Sequence, residues 1–306
     1  MVLDKIVRFL FKKYFEKKLF MLGAAHCLRM RPLYKEIKNI NDVEFKIFSQ
    51  NGEDGILDYI SYSLKLDRPK FIEIGIGDYS ESNTRFIFER TSPKGMVIDC
   101  INNLENKIKK ITKVWKGDLK IINKKLDTEN CIELLNQDNM FEDLDLFSID
   151  IDGIDYWILE KLPKHFSKIV ILEYNPIFGY ELVVSVPNLK DFDRNKYHYS
   201  NLCFGMSFKA ALKIMKEKGF YFIGSNYLKN NAFFVSDKFQ KNIYFKKLKI
   251  DLSSLNIDSN FRESRDTNGN LNYLSKDKAL VNIYDCEVVD ISENNFKIKK
   301  VRDFFI

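Results

Sequence analysis

The chain of 306 residues has few histidines, prolines and glycines, with 3, 6 and 13 of them. So little Pro and Gly argues against a long disordered or low-complexity tract, and 45% hydrophobic residues supply an ordered core. Its five cysteines, Cys27, Cys100, Cys131, Cys203 and Cys286, form no CxxC pair and have no histidine at zinc-ligand spacing. Scattered, odd-numbered thiols fit a reducing cytoplasm better than a disulfide framework. No apolar run approaches the ~20 residues that span a bilayer, and basic residues interrupt every candidate signal-peptide core. The expected location is the cytoplasm, with the inner face of the membrane as the place of any attachment.

An overall excess of one charge sign is also missing from most of the chain. Residues 1–40 hold ten Lys/Arg against three Asp/Glu, while the rest carries 39 basic and 40 acidic residues. A near-neutral body does not indicate a nucleic-acid-binding surface. The opening segment places Leu3, Ile6, Val7, Leu10, Phe11 and Tyr14 at helical spacing, with Lys5, Arg8, Lys12 and Lys13 in much of the remainder. Such a basic helix can lie on an anionic membrane, pack on the body, or contact a partner subunit of a homo-oligomer.

Three parts are expected: a basic helical segment over 1–42, a main domain over 43–240 and a small β-containing extension over 241–306 with a turn at Asn268-Gly269. From Phe48 to Gly55 the chain is polar, and Ile56 to Leu66 reads as a helix. Short apolar runs follow at Phe71–Gly75, Met96–Asp99, Leu119–Asn123, Leu146–Asp150 and Lys168–Glu173. Their length suits buried parallel strands. The stretches between them, Asn83–Arg90, Leu104–Lys113, Thr128–Leu135 and Tyr156–Leu162, have helical or loop character. Ser207–Lys218 is an amphipathic helix with Ser207 as N-cap and Gly219 past its end. Tyr221–Gly224 and Ala232–Val235 then suit an antiparallel hairpin. The fold class is α/β, a doubly wound, mostly parallel, seven-stranded Rossmann-like sheet.

The strongest chemical signal is KFIEIGIGDYSESNT over 70–84. An apolar strand runs straight into Glu73-x-Gly75-x-Gly77-Asp78, where glycines let the backbone approach a ligand closely. The same turn without a ligand is the plain alternative. Asp99 follows the next strand, where a carboxylate can accept from ribose hydroxyls. Asp150, Asp152 and Asp155 lie within six residues at the end of the fourth strand, with Glu173 and Asn175 ending the fifth. Carboxylates so close repel unless protonated, separated or bound to a cation, and oxygen ligands of this kind suit Mg²⁺ or Mn²⁺. Otherwise these carboxylates cap the helix that follows. His198, in the polar loop after the fifth strand, is a candidate base or ligand, or a structural histidine. Asn230-Asn231 contacts substrate or only builds its turn.

SQNGEDG, FIEIGIGDYSESNT, FSIDIDGIDYWIL, ILEYNP, HYSNLCFGMS and NNAFFV, in this order over roughly residues 45–236, resemble the FkbM-like methyltransferases. That resemblance implies the class I, S-adenosylmethionine (SAM)-dependent transfer of a methyl group to oxygen, on a sugar, nucleotide-sugar or glycan acceptor of the capsule or lipopolysaccharide type. It places Glu73, Gly75, Gly77 and Asp78 around the methionine part of SAM and Asp99 at its ribose. Asp127 would neighbour the adenine, and Asn83 and Asp150 would complete the cofactor site. Gln50, Glu53 and Asp54 would close over SAM or cap the first helix. Asp152-Gly-x-Asp155 is also similar to the Asp-Gly-Ser-His segment of metal-dependent sugar O-methyltransferases, which implies Asp152, Glu173 and Asn175 as ligands of Mg²⁺, Mn²⁺ or Fe²⁺. Asp155 stands where the histidine base of that segment falls, so Asp155 and His198 are the catalytic candidates.

Three other readings compete. Asp150-Ile151-Asp152 is a DxD of the kind metal-dependent glycosyltransferases use, but that fold does not carry Glu-x-Gly-x-Gly on its first strand. A nucleotide-sugar dehydrogenase or epimerase would have the third glycine of GxGxxG, where this chain has none. A non-catalytic binding module docked by the basic helix is the last.

Overall fold

A computed structural model describes residues 2–250, 252, 263–293 and 295–305, with side chains in the opening helix described at residue 11 and from residue 14 onward. The helices in chain order are α1 (Val2–Met30), α2 (Glu53–Ser63), α3 (Arg85–Thr91), α4 (Leu104–Ile111), α5 (Cys131–Leu135), α6 (Asp155–Lys161), α7 (Arg194–Tyr197), α8 (Phe208–Glu217) and α9 (Lys276–Asn282). The strands are β1 (Phe71–Ile74), β2 (Gly95–Asp99), β3 (Leu119–Asn123), β4 (Leu146–Ile149), β5 (Ile169–Glu173), β6 (Val184–Ser185), β7 (Phe220–Ser225), β8 (Asn231–Ser236), β9 (Glu287–Asp290) and β10 (Lys297–Lys300).

Seven strands form one sheet in the order β3-β2-β1-β4-β5-β8-β7. β1 to β5 run parallel, and β8 joins β5 antiparallel before turning back to β7. This is the mostly parallel, seven-stranded Rossmann-like sheet expected from the sequence, closed by an antiparallel hairpin. The strands are apolar on both faces because both faces are covered. Ile72, Ile98, Phe147 and Val170 point towards α5, α6 and α8. Their neighbours Phe71, Val97, Leu146 and Ile171 point towards α2, α3 and α4. The order reverses between β1 and β4, which opens a crevice at their carboxyl ends.

The inner face of α1 is tied down from Glu16 onward. Phe20 packs against Phe48 and Phe86, and Cys27 is fully buried with them. The Glu16 carboxylate lies 3.4 Å from the guanidinium of buried Arg85. After the helix, Arg31 and Tyr34 donate to the buried carboxylate of Asp58, which also contacts Arg90. The stripe expected at Leu3, Ile6, Val7 and Leu10, with Lys5, Arg8, Lys12 and Lys13, lies outside the described side chains.

The last part of the chain joins residues 184–185 in a second, smaller sheet. β9 pairs with β10 and, on its other side, with β6, giving a second sheet of order β10-β9-β6. Ala279, Ile283, Val288 and Val301 pack with Ile177, Phe178 and Val184 into one small core. The turn at Asn268-Gly269 is present, with Gly269 at φ +83°. Of the tail residues, Arg262 lies outside those described.

Candidate functional site

At the carboxyl ends of β1, β2 and β4 lies a cavity of about 650 Å³, within the usual range for small-ligand sites. The loop after β1 forms its floor. Gly75 has φ +80° and its N–H donates to the Ile98 carbonyl at 3.0 Å. A Cβ there would stand 1.5 Å from the Asp150 carbonyl oxygen, so only glycine lets the ends of β1 and β4 approach this closely. Gly77, at φ +55°, faces open space, and its N–H donates to Asp99 Oδ2 at 2.8 Å. The other oxygen of Asp99 accepts from the Ile101 N–H at 2.9 Å, which fixes the carboxylate at the end of β2. Gln50, Asp78, Asn83 and Asp99 all line the cavity, as do both glycines.

Glu73 reaches the cavity wall, but its carboxylate is occupied. Its oxygens accept from the Asn83 N–H at 2.8 Å, the Ser82 hydroxyl at 2.6 Å, and both the N–H and hydroxyl of Thr84. Burial raises its pKa against these donors. Glu73 lines the cavity while its carboxylate shapes the loop, with three of these donors on Oε2 and one on Oε1. Glu53 is buried at the start of α2, accepts from the Asn51 N–H at 2.9 Å, from Asn226 at 2.8 Å and from Asn231 at 2.9 Å, and is not among the residues lining the cavity. Asp54 gathers the N–H groups of Ile47, Phe48 and Ser49 on one oxygen, so it holds the entry to α2. Asp127 accepts from the N–H groups of Glu129 and Asn130 and is not among the residues lining the cavity, because its oxygen closes the turn before α5.

Asp150 and Asp152 line the cavity, and one carboxylate oxygen from each of Asp150, Asp152 and Glu173 lies within 4.8 Å of the other two. Asp150 follows β4 and Glu173 ends the adjacent β5, so sheet pairing itself converges them. Asp150, expected at the cofactor, thus belongs with the candidate cation ligands. Burial, reinforced by the neighbouring aspartates, raises the pKa of both Asp150 and Glu173 well above the ordinary carboxylate values. Such a pair retains a proton unless a cation replaces it. Asp152, held at φ +53°, meets the guanidinium of Arg194, which also lies 4.3 Å over the Phe204 ring and 3.6 Å from Glu263.

Three expected functional residues have other tasks. Asn175 is not a ligand: its Oδ1 caps the turn at Ile177 and its Nδ2 donates to the carbonyls of Leu202 and Phe204 at 2.8 and 3.0 Å. Asp155 is not positioned as a base. It is buried at the start of α6 and accepts from the N–H groups of Ile151 and Gly153, both at 3.0 Å. Burial lifts its pKa to about 6 against those donors. His198 does not line the cavity; Nδ1 lies 2.7 Å from the Ser200 hydroxyl, its ring stacks on Tyr199, and burial lowers its pKa.

Two further residues carry the site. Arg194 was not singled out in the sequence, since it sits in an aperiodic loop; an isolated arginine after the fifth strand was its one signal. Asn231 opens β8 opposite Glu173. Its Nδ2 is held by Glu53, while its buried Oδ1 has no hydrogen-bond partner among the described residues and the residue lines the cavity.

No protein-family model matches the sequence, and no curated protein matches it significantly. Among solved structures, the chain is similar to the pyocyanin biosynthetic protein PhzM at 11% identity and TM-score 0.33, covering 58% of this chain and 53% of that one. The chain therefore spans about half the length of this first neighbour. It is similar to a candidate SAM-dependent methyltransferase of Listeria monocytogenes at 13% identity and TM-score 0.33, over 57% of this chain and 97% of that one. An O-methyltransferase family protein of Burkholderia thailandensis aligns at 10% identity and TM-score 0.33, over 72% of this chain and 57% of that one. Scores this low assign no activity, so function has to be read from the cavity.

Proposed function

We propose that this chain is a SAM-dependent O-methyltransferase acting on a hydroxyl of a sugar, nucleotide-sugar or glycan precursor, with a divalent cation at the carboxylate cluster. The observation that carries the reading is one cavity lined by a glycine bend, Asp99, Asp150 and Asp152, with a Glu173 carboxylate oxygen within 4.8 Å of both of those last two carboxylates. Its place at the reversal of strand order is where open α/β sheets hold their ligands. The unpartnered Oδ1 of Asn231 supports a ligand with a donor at that wall, because a buried acceptor left unpaired costs about 1–3 kcal/mol.

SAM would supply a methyl group already activated on sulfur. Asp99 would accept from the ribose hydroxyls, and Gly77, open on its Cβ side, would leave room for the cofactor. Transfer of that methyl to an acceptor hydroxyl would leave a proton for this chain's own residues to take. Glu173 would take that proton, the role expected of Asp155 or His198, through a carboxylate oxygen not engaged with a cation. Asp150, Asp152 and Glu173 offer the hard oxygen ligands that Mg²⁺, Mn²⁺ or Fe²⁺ takes, and such an ion would acidify a bound hydroxyl. Arg194 would keep Asp152 at the cavity and offset part of the cluster's negative charge.

Two measurements test this. Titration calorimetry should detect SAM and its demethylated product, and no heat from either with folded protein overturns the whole reading. Turnover of a glycan precursor should fall on chelation with EDTA and return when Mg²⁺, Mn²⁺ or Fe²⁺ is restored. Undiminished turnover in EDTA removes the cation alone. A thermal shift with UDP- or GDP-sugars but none with SAM would favour the glycosyltransferase reading of Asp150-x-Asp152.

A further inference from the structure

The outer face of α1 is apolar and bare. Its inner face is fixed through Phe20, Cys27 and the Glu16–Arg85 contact, so the helix does not turn over to hide the other side. On that other side Phe11, Tyr14, Phe15, Leu19 and Leu22 fall at helical spacing and are 63, 58, 49, 45 and 67% exposed. Phe11 and Phe15 lie against each other, with ring centroids 4.7 Å apart and planes tilted by 45°. Several large apolar side chains on one exposed face mark an interaction surface.

Charge identifies the occupant. Lys17, Lys18 and Arg29 are exposed on the same helix, and residues 1–40 carry ten basic against three acidic groups. A second copy of this chain, apposed through the same face, would set two strongly positive segments against each other, which is unfavourable. An anionic lipid surface accepts both features at once, apolar side chains in the acyl boundary and lysines at the headgroups. No described helix is long and apolar enough to cross a membrane, so contact would be in the plane of the interface.

We infer that α1 docks this chain peripherally on an anionic bilayer through its Phe11–Phe15–Leu22 face. The inference stands apart from the methyl-transfer reading.

The test is co-sedimentation of the full chain with vesicles of phosphatidylcholine alone or mixed equally with phosphatidylglycerol. Binding should require phosphatidylglycerol and weaken as NaCl rises from about 0.1 M to about 0.5 M. Lys17→Glu with Lys18→Glu should lower the partition coefficient by roughly 30-fold or more, the effect of two interfacial lysines. Leu22→Glu should lower it by about tenfold or more. Both variants alter exposed positions, and an unchanged melting transition shows that the body is intact. Should Leu22→Glu fail to fold, the lysine variant decides. No binding above phosphatidylcholine alone, or binding that neither variant reduces, overturns the inference. So does light scattering that finds a dimer which Leu22→Glu converts to a monomer, since the face then belongs to a second copy.

Discussion

Alanine at Gly75 should damage the molecule far more than alanine at Gly77, two residues along the same loop. Both glycines have left-handed backbone, at φ +80° and +55°, so each substitution carries about 1–2 kcal/mol of conformational strain. Their surroundings differ. A Cβ on Gly77 meets nothing within 4 Å, whereas one on Gly75 lies 1.5 Å from the Asp150 carbonyl oxygen and 2.5 Å from its carbon. That carbonyl belongs to backbone pinned by the Asp150 N–H, which donates to Ile74 at 3.0 Å. Relief would move it by about 2 Å in a close-packed interior, adding about 1–3 kcal/mol of overpacking. Gly75→Ala should therefore lose roughly 2–5 kcal/mol in urea unfolding, and Gly77→Ala roughly 1–2. Because the displaced residue is Asp150, one of the clustered carboxylates, Gly75→Ala should also lower turnover even where the protein remains folded. Equal unfolding free energies for the two variants would refute this account of the loop.

Glu173→Gln should lower kcat by about 10²–10⁴-fold, the usual contribution of a general base, while SAM affinity by calorimetry stays nearly unchanged; wild-type kcat would remove Glu173 from the chemistry. Asp58→Asn should destabilise the fold by about 3–5 kcal/mol, because Arg31 and Arg90 would be left beside a neutral group, and urea unfolding measures it. Burial alone would raise the Asp58 pKa, but the Arg31 hydrogen bond and the Arg90 charge hold it below its ordinary 3.8. Its stabilising share is therefore present above about pH 3.8 and lost as pH falls through the lower folded value. The acid limb of wild-type stability should flatten in Asp58→Asn, and an unchanged limb would count against the assignment.

The strands were legible because parallel strands covered on both sides are apolar runs of fixed length. Phe71–Ile74, Leu146–Ile149 and Asn231–Ser236 fall where hydrophobicity puts them, within a residue or two. The glycine loop and Asp99 were equally readable, since a strand end followed by glycine and acid leaves few geometries. The division of work among the carboxylates was not. Asp150, Asp152 and Asp155 look alike in the chain, yet two backbone N–H groups claim Asp155 while Asp150 faces Glu173. Only the register of β4 beside β5 separates them. Asn175 and His198 were misplaced for a related reason: residue type shows capacity to bind, whereas the neighbouring carbonyls and hydroxyls that satisfy it come from distant segments. The small second sheet was hidden because β6 has only two residues.

That two-residue strand has a bearing on biosynthesis. Val184–Ser185 finds its partner about a hundred positions later, in Glu287–Asp290, and Tyr197 is also held by the carbonyl of Glu287 at 2.8 Å. The segment between them, with Phe192 and Arg194, forms one wall of the cavity. On the ribosome the glycine loop and Asp99 can take shape as soon as the first strands pair. The opposite wall must wait for Glu287–Asp290 to emerge, so a chain cut before Glu287 would keep the glycine loop and lose the strand that braces this wall.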